Sequence, residues 1–411
     1  MTKHVTGFAG KIAIRIWAVS LLLTFGSLPA VFADYRSDVA KRIAALVDVG
    51  AVMLNSEESR TVFSHNADSR LVPASLIKIL SSWIAIDLLG KEYRFQTEFY
   101  RDSRENLLVR GLGDPFLVSQ EIAEIARVLK RRGVSRINRI VLDSSAFAPG
   151  IVIPGASRTL NPYDAPNGAL IVNFNTLNLG RDAAGVVFSA ERETPLTPLA
   201  KRKGRMIPAG NTERISLTGD STEGLQYAGE LFRHFLRDRG IVVFRSDIGR
   251  EAVSPQWNLY YVHRNGKTLE TILSGLLKYS NNYIANQIFL AVGALKQGYP
   301  ANLAKARRVF QSAIRREFKT ETDELNFDEA SGLSRDNAMT GRAMMRILEK
   351  FRPYSYLLAE RNGTLIKSGT LTGVYNYAGY FKTKRGLRPF VILLNQKRNS
   401  RDEILDILKR I

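Results

Sequence analysis

The chain of 411 residues contains no cysteine, so it can form no disulfide, offers no thiol nucleophile and has no site for a lipoprotein anchor. Histidine is nearly as scarce. His4, His65, His234 and His263 show no metal-ligand spacing, and no Gly-x-Ser-x-Gly elbow exists for a serine–histidine triad. Neither metal nor histidine chemistry is indicated, and no cofactor is expected. Acidic residues number 39 against 59 basic ones, a formal charge of +20. The first 33 residues have no acidic side chain at all: Lys3, Lys11 and Arg15 precede an apolar run from Ile16 to Leu28, shorter than the roughly 20 residues a spanning helix needs. Small residues at Val31 and Ala33 then suit a signal peptidase, so residues 1–33 read as a secretory signal cut after Ala33. An uncleaved membrane anchor is the alternative.

Loss of that segment leaves a mature chain of charge +17, expected to be soluble in the periplasm or cell envelope. A field of that size attracts polyanions. Nucleic acid is not the expected partner of an exported protein, and neither zinc-finger spacing nor an RNA-binding aromatic motif is present. Anionic cell wall or membrane surface fits better. The densest basic run, Lys201-Arg202-Lys203-Gly204-Arg205, reads as a solvated loop.

At 45% hydrophobic and 24% charged, the composition is globular. A short amphipathic helix, Val39 to Leu46, precedes two apolar runs around the polar turn Ser56 to Arg60, the pattern of a β-hairpin. Between Pro73 and Gly90 the residues Leu76, Ile77, Ile79, Leu80, Trp83, Ile84, Ile86 and Leu88 leave no polar face, which predicts a helix buried inside a domain. From Tyr93 to Gln256 short β-rich runs follow: Phe95 to Tyr100, Ile137 to Leu142, Leu170 to Phe174 and Val186 to Ser189. One helix, Glu223 to Arg239, interrupts them. Helical pattern resumes from Thr268 to Val292 with a polar break at Ser280-Asn281-Asn282, and again from Thr340 to Phe351. Strands return at Gly363 to Thr370, Tyr377 to Thr383 and Phe390 to Leu394. A last helix opens with Ser400 and Glu403 at capping-box spacing.

Ser75 and Lys78 stand at the first turn of the buried helix, three residues apart and therefore on one face. A lysine on an all-apolar helix is costly to bury charged, so its pKa should fall and its neutral amine can act as a base toward the serine hydroxyl. Alone the pair is weak evidence, since Ser-x-x-Lys arises by chance about once or twice in a chain of this length. A lysine snorkelling from the helix edge would look the same.

Two further motifs follow in order, Ser280-Asn281-Asn282 and Lys367-Ser368-Gly369-Thr370, and here the chain resembles the penicillin-binding protein and serine β-lactamase superfamily. Within it, the sequence is most similar to D-alanyl-D-alanine carboxypeptidases and endopeptidases of the penicillin-binding protein 4 type, peptidase family S13. Gly113-Asp114-Pro115, Leu142 to Phe147, Val172-Asn173-Phe174-Asn175 and Ser331-Gly332-Leu333-Ser334-Arg335 carry the likeness, as does the long insert between Lys78 and Ser280.

The resemblance implies that Ser75 attacks the penultimate D-alanine carbonyl of a peptidoglycan stem peptide while Lys78 takes its proton. Ser280 helps protonate the departing D-alanine, and Asn282 holds the substrate amide. Lys367, Ser368 and Thr370 bind the terminal carboxylate, Gly369 lets the substrate lie against the strand, and the Ser75 and Thr370 backbone N–H groups form the oxyanion hole. β-Lactam antibiotics become covalent inhibitors. Ser368 stands where the family usually has threonine, and Asn281 where it often has aspartate. Asp143 has two readings: a contact for the free amine of a diaminopimelate side chain, or a structural aspartate.

The expected fold class is α/β, a penicillin-binding/serine β-lactamase-like domain with an antiparallel sheet flanked by helices and a large β-rich insert. The sheet should join the N-terminal hairpin to the C-terminal strands, with the terminal helices on one face and the Ser75 helix behind the other. Residues 34–92 and 257–411 make up the peptidase domain, and 93–256 the insert. Two other functions remain open at this level. A serine β-lactamase would need a deacylating residue, and Glu321 to Asn326 only faintly resembles the loop that supplies one in class A enzymes, with Thr322 where the glutamate belongs. A catalytically idle peptidoglycan-binding scaffold would keep the fold and the charge.

Overall fold

The computed structural model describes residues 37–157, 159–217, 221–318 and 324–411. The signal segment expected at 1–33 and residues Glu321 to Asp323 of the loop compared with class A enzymes lie outside them. Among the described residues no helix is long and apolar enough to cross a membrane.

The strand Gly50–Asn55 is apolar on both sides of its pleat, which suits a strand covered on both faces. It pairs antiparallel with Thr61–His65 on one side and with Gly386–Leu394 on the other, in a register that sets Gly50 opposite Leu394 and Leu54 opposite Phe390. The sheet continues through Val374–Thr383 and Thr364–Leu371 to Ala359–Arg361, making six antiparallel strands. Alternation sorts their side chains. Val52, Leu54, Ile366, Phe390 and Ile392 pack against Val39 and Ile43 of the helix at 37–44 and Ile404 and Leu408 of the helix Arg401–Lys409. Ala51, Met53, Leu365, Ala378, Tyr380, Val391 and Leu393 face the other way, into the largest core, which contains the helix Ile77–Leu89. The α/β architecture expected from the sequence is the one observed.

The C-terminal helix starts at the expected place without the expected cap. The Ser400 hydroxyl donates 2.7 Å to the carbonyl of Leu46 and makes no bond to the first turn of its own helix. A side chain that could close a capping box instead ties the two terminal helices together.

Residues 96–264 build a second core around Phe99, Val109, Ile122, Leu142, Phe232 and Leu236. In its five-stranded sheet the strands that carry the chain in and out, Gln96–Arg101 and Asn258–Arg264, are antiparallel neighbours at one edge. Asn258–Arg264 therefore belongs with this sheet, beyond the boundary expected at Gln256. Three helices pack there, Ser119–Arg131 and Pro198–Gly204 as well as Ser221–Asp238, where the sequence reading had only the last. A further helix passed over lies at Leu303–Phe318.

Two local expectations are corrected. Leu170 to Phe174 forms no strand: Asn173, Phe174 and Asn175 all take positive φ (48°, 61° and 57°), and side-chain bonds from Asn173 to Ser119 and Tyr227 replace a ladder. The basic run at 201–205 is no simple loop either. Its first four residues end the helix Pro198–Gly204, and Lys203 pairs with Glu223 at 2.6 Å.

Candidate active site

Ser75 lies in a tight turn, Ala74–Leu76, that leads into the helix Ile77–Leu89. Ala74 holds φ +47°, a left-handed value that costs an L-residue about 1–2 kcal/mol and that surrounding packing must enforce. That packing is visible. Gly332, at φ +86°, sits so close that an added Cβ would lie 2.0 Å from the Ala74 carbonyl oxygen and 2.8 Å from Ser75 N. On the other side a Cβ on Gly369 would lie 2.6 Å from the Pro73 oxygen and 3.2 Å from Ser75 N. Two side-chain-free positions thus clamp the serine turn between a loop and the sheet. At Gly369 the missing side chain leaves room for the nucleophile's own backbone.

Lys78 is fully buried. Its Nζ lies 2.9 Å from Ser75 Oγ, 2.8 Å from Asn282 Oδ1 and 2.5 Å from the Ser331 carbonyl oxygen. Burial pushes its pKa well below the ordinary lysine range. The positive charge of Lys367 pushes the same way, and Glu329 opposes them.

A neutral amine has two N–H groups and one lone pair. Asn282 Oδ1 and Ser331 O are pure acceptors, so they take the two N–H groups and leave the lone pair for the Ser75 hydroxyl.

Asn282 reaches this point because the polar break forms a sharp corner between helices. Ser280 adopts the left-handed conformation (φ 56°, ψ 38°) that ends Leu269–Tyr279, and Asn281 caps the next helix, Asn282–Gln297, by accepting from Ile284 N at 2.9 Å. Asn281 keeps the Asx cap that an aspartate would supply, which accounts for this departure from the family pattern. The Asn282 amide also donates, at 3.4 Å, to the Tyr163 carbonyl.

Lys367 points from the strand Thr364–Leu371 to the same corner, its Nζ 2.9 Å from Ser280 Oγ and 2.8 Å from the Ser368 carbonyl. Burial lowers its pKa to about 8, with Arg361 adding to the effect. Thr370 is exposed, and its hydroxyl accepts from Arg401 Nη1 at 2.8 Å. Arg401 lies over the Tyr377 ring at 4.4 Å. Composition and motif gave no signal for this arginine, which reaches Thr370 only because the terminal helix packs on the sheet.

Asp143 stands apart from this cluster, on the strand Ile140–Asp143 of the inserted sheet. It is 1% exposed, accepts from Ser145 N at 2.8 Å and Val253 N at 2.9 Å, and pairs with Arg110 at 3.5 Å. Both carboxylate oxygens are thus engaged, by two backbone N–H groups and by Arg110. Glu329 and the Ser331 carbonyl are the groups the sequence reading missed. Ser331 was noted for its motif alone, and a backbone carbonyl carries no sequence signal.

The chain is similar to known proteins over most of its length. A sequence model of the family described as D-Ala-D-Ala carboxypeptidase 3 (S13) matches residues 37–194 and 201–359, ending just before the Lys367 strand. The D-alanyl-D-alanine carboxypeptidase DacB of Haemophilus influenzae is 24% identical, with 91% of each chain covered. A D-alanyl-D-alanine carboxypeptidase of Actinomadura is also 24% identical, over 84% of this chain and 77% of its own. The crystal structure of penicillin binding protein 4 from Haemophilus influenzae superposes with a TM-score of 0.71 at 20% identity, over 91% of this chain and 98% of the other.

Proposed function

The chain belongs to the D-Ala-D-Ala carboxypeptidase 3 (S13) family and is, on that premise, a serine-type D-Ala-D-Ala carboxypeptidase; we propose that it acts on peptidoglycan stem peptides through an acyl-enzyme on Ser75. The observation that carries the assignment is the Lys78 amine, fully buried and held by three oxygens of which one is Ser75 Oγ. Lys78 takes the Ser75 proton as Oγ adds to the carbonyl of the penultimate D-alanine. The Ser75 and Thr370 backbone N–H groups receive the developing oxyanion. Ser280, bonded to Lys367, relays a proton to the leaving amine. The C–N bond breaks, D-alanine departs, and water then hydrolyses the ester.

Lys367 supplies positive charge for the terminal carboxylate, and Ser368 and Thr370 supply hydroxyls. The Arg401 guanidinium beside Thr370 adds a second charge suited to a carboxylate. Both carboxypeptidase and endopeptidase action begin with this acyl-enzyme. Residues 96–264 form the inserted unit of such an enzyme in this reading, and the basic mature chain acts outside the cytoplasm against an anionic envelope. A β-lactam presents a carbonyl and a carboxylate at comparable spacing, so it acylates the same serine.

Intact-mass spectrometry after incubation with benzylpenicillin tests the assignment. One adduct on the wild type and none on Ser75→Ala is the expected result, together with release of D-alanine from diacetyl-L-lysyl-D-alanyl-D-alanine. Adduct formation on Ser75→Ala would refute the choice of nucleophile. Intact penicillin and no adduct would indicate an idle scaffold, and rapid turnover a β-lactamase.

A further inference from the structure

We infer that Glu329 is a positioning residue for acylation: it fixes the Ser331 carbonyl that orients the Lys78 amine toward Ser75. The inference rests on the assignment of Ser75 and Lys78 above and concerns a residue outside the three motifs.

The Glu329 side chain has no exposure to solvent and collects six donors. Oε2 accepts from Asn286 Nδ2 at 2.9 Å, Ser331 N at 2.7 Å and Ser331 Oγ at 2.6 Å. Oε1 accepts from Gly332 N at 2.5 Å, Asn337 Nδ2 at 2.9 Å and Ser334 N at 3.3 Å. Three of these donors are backbone N–H groups of the segment that begins with Ser331, so the carboxylate acts as the hub around which the loop is wound.

The loop is also pinned to both catalytic helices. Ser81, one turn beyond Lys78, donates to the Ala330 carbonyl at 3.1 Å, and Asn286, one turn beyond Asn282, accepts from Ala330 N at 3.0 Å. The Ser331 carbonyl is therefore held in register with the two helices that bring Lys78 and Asn282 together. Gly332 then passes under the Ala74–Ser75 backbone.

The consequence for chemistry follows from the amine's needs. With Ser331 O displaced, a neutral Lys78 keeps one acceptor, Asn282 Oδ1, and can turn about it, so its lone pair is no longer confined to Ser75. A misplacement of about 1 Å at a reacting group costs roughly a hundredfold in rate. The Glu329 charge acts as well: Lys367 from the sheet and Glu329 from the loop are the charged groups that bear on the amine, with opposite signs.

The test is the rate of acylation by a fluorescent penicillin across pH, on the full mature chain, for wild type, Glu329→Gln, Glu329→Asp and Ser331→Ala. Glu329→Gln should be slower by about a hundredfold at its optimum. Its acid limb should move to lower pH, because the charge that favours protonated Lys78 is gone. Glu329→Asp should return the limb to its wild-type position and recover part of the rate.

A merely structural role gives the opposite sign. A loosened loop would hydrate Lys78 and move the limb to higher pH. That outcome, or an unchanged rate and limb in Glu329→Gln, overturns the inference. If Glu329→Gln fails to fold, Glu329→Asp and Ser331→Ala decide, since each should acylate several-fold more slowly and wild-type rates in both would overturn it. Failure of the wild type to acylate would instead remove the Ser75 assignment.

Discussion

Substituting alanine for Gly332 adds one methyl group and should nearly silence the enzyme. The new Cβ would lie 2.0 Å from the Ala74 carbonyl oxygen and 2.3 Å from its carbon, where ordinary contact begins at 3.4 Å. Both atoms are backbone, so no side chain can swing aside. The Ala74–Ser75 turn, the Gly332 loop or both must separate by more than 1 Å, which moves Ser75 Oγ or Ser331 O relative to Lys78. A shift of that size costs about a hundredfold in acylation. Stability falls as well, by about 1–2 kcal/mol for an L-residue at φ +86° and another 1–3 kcal/mol for overpacking. Gly363 is the control. Its φ is +70°, but nothing lies within 4 Å of its added Cβ, so Gly363→Ala carries the conformational cost alone. Acylation by fluorescent penicillin and thermal unfolding, measured on both variants, separate the two effects. Gly363→Ala should lose some stability and keep its rate. Wild-type acylation in Gly332→Ala, or an equal loss in both variants, would refute the argument that this glycine clamps the serine turn.

The rate constant for acylation at low substrate should rise with pH as Lys78 loses its proton below the ordinary lysine range, then fall through about pH 8 as Lys367 loses its charge. Stability runs the other way: between about 8 and 10.5 the unfolded chain holds the Lys367 proton and the folded chain does not, so unfolding free energy should rise with pH across that window. A stopped-flow pH series and parallel urea melts check both signs, and a Lys367→Gln variant that kept the alkaline limb would contradict the assignment. Lys78→Met replaces a buried amine by an apolar chain of similar length, so acylation should vanish without loss of the melting temperature; a penicillin adduct detected by intact mass would exclude Lys78 as the base. Arg401→Ala should narrow the preference for a free C-terminal carboxylate over its amide, read as the ratio of hydrolysis rates on the two peptides, and an unchanged ratio would leave Arg401 a purely structural partner of Thr370.

Much of this site could be read from local sequence because its chemistry is written in short spacings. Ser75 and Lys78 share a helical face by their separation alone, and the apolar surroundings of that helix already implied an amine with a lowered pKa. Ser280 to Asn282 announced a break between helices, and the break is what turns Asn282 toward Lys78. The edges of the reading failed where side chains chose distant partners. Ser400 had the spacing for a cap but bonds to Leu46. Asn173 lies in what looked like a strand and Asn175 just beyond it, and their side-chain bonds hold left-handed backbone instead. Asp143, next to a family-like motif, is engaged by the backbone of its own sheet and by Arg110.

From the sequence alone came the three motifs and the buried helix that carries the first of them, because periodicity and spacing are local properties that survive without knowledge of the rest of the chain; the resemblance those motifs carry implied the fold class and nominated Ser75 as nucleophile and Lys78 as base. Only the tertiary structure decided what surrounds them. The Ser331 carbonyl on Lys78, the Glu329 hub behind it, Gly332 and Gly369 against the serine turn, and Arg401 on Thr370 all join segments that are distant in the chain. These contacts run through backbone atoms, through absent side chains and through packing of one element on another. None of the three leaves a spacing in the sequence from which it could be read.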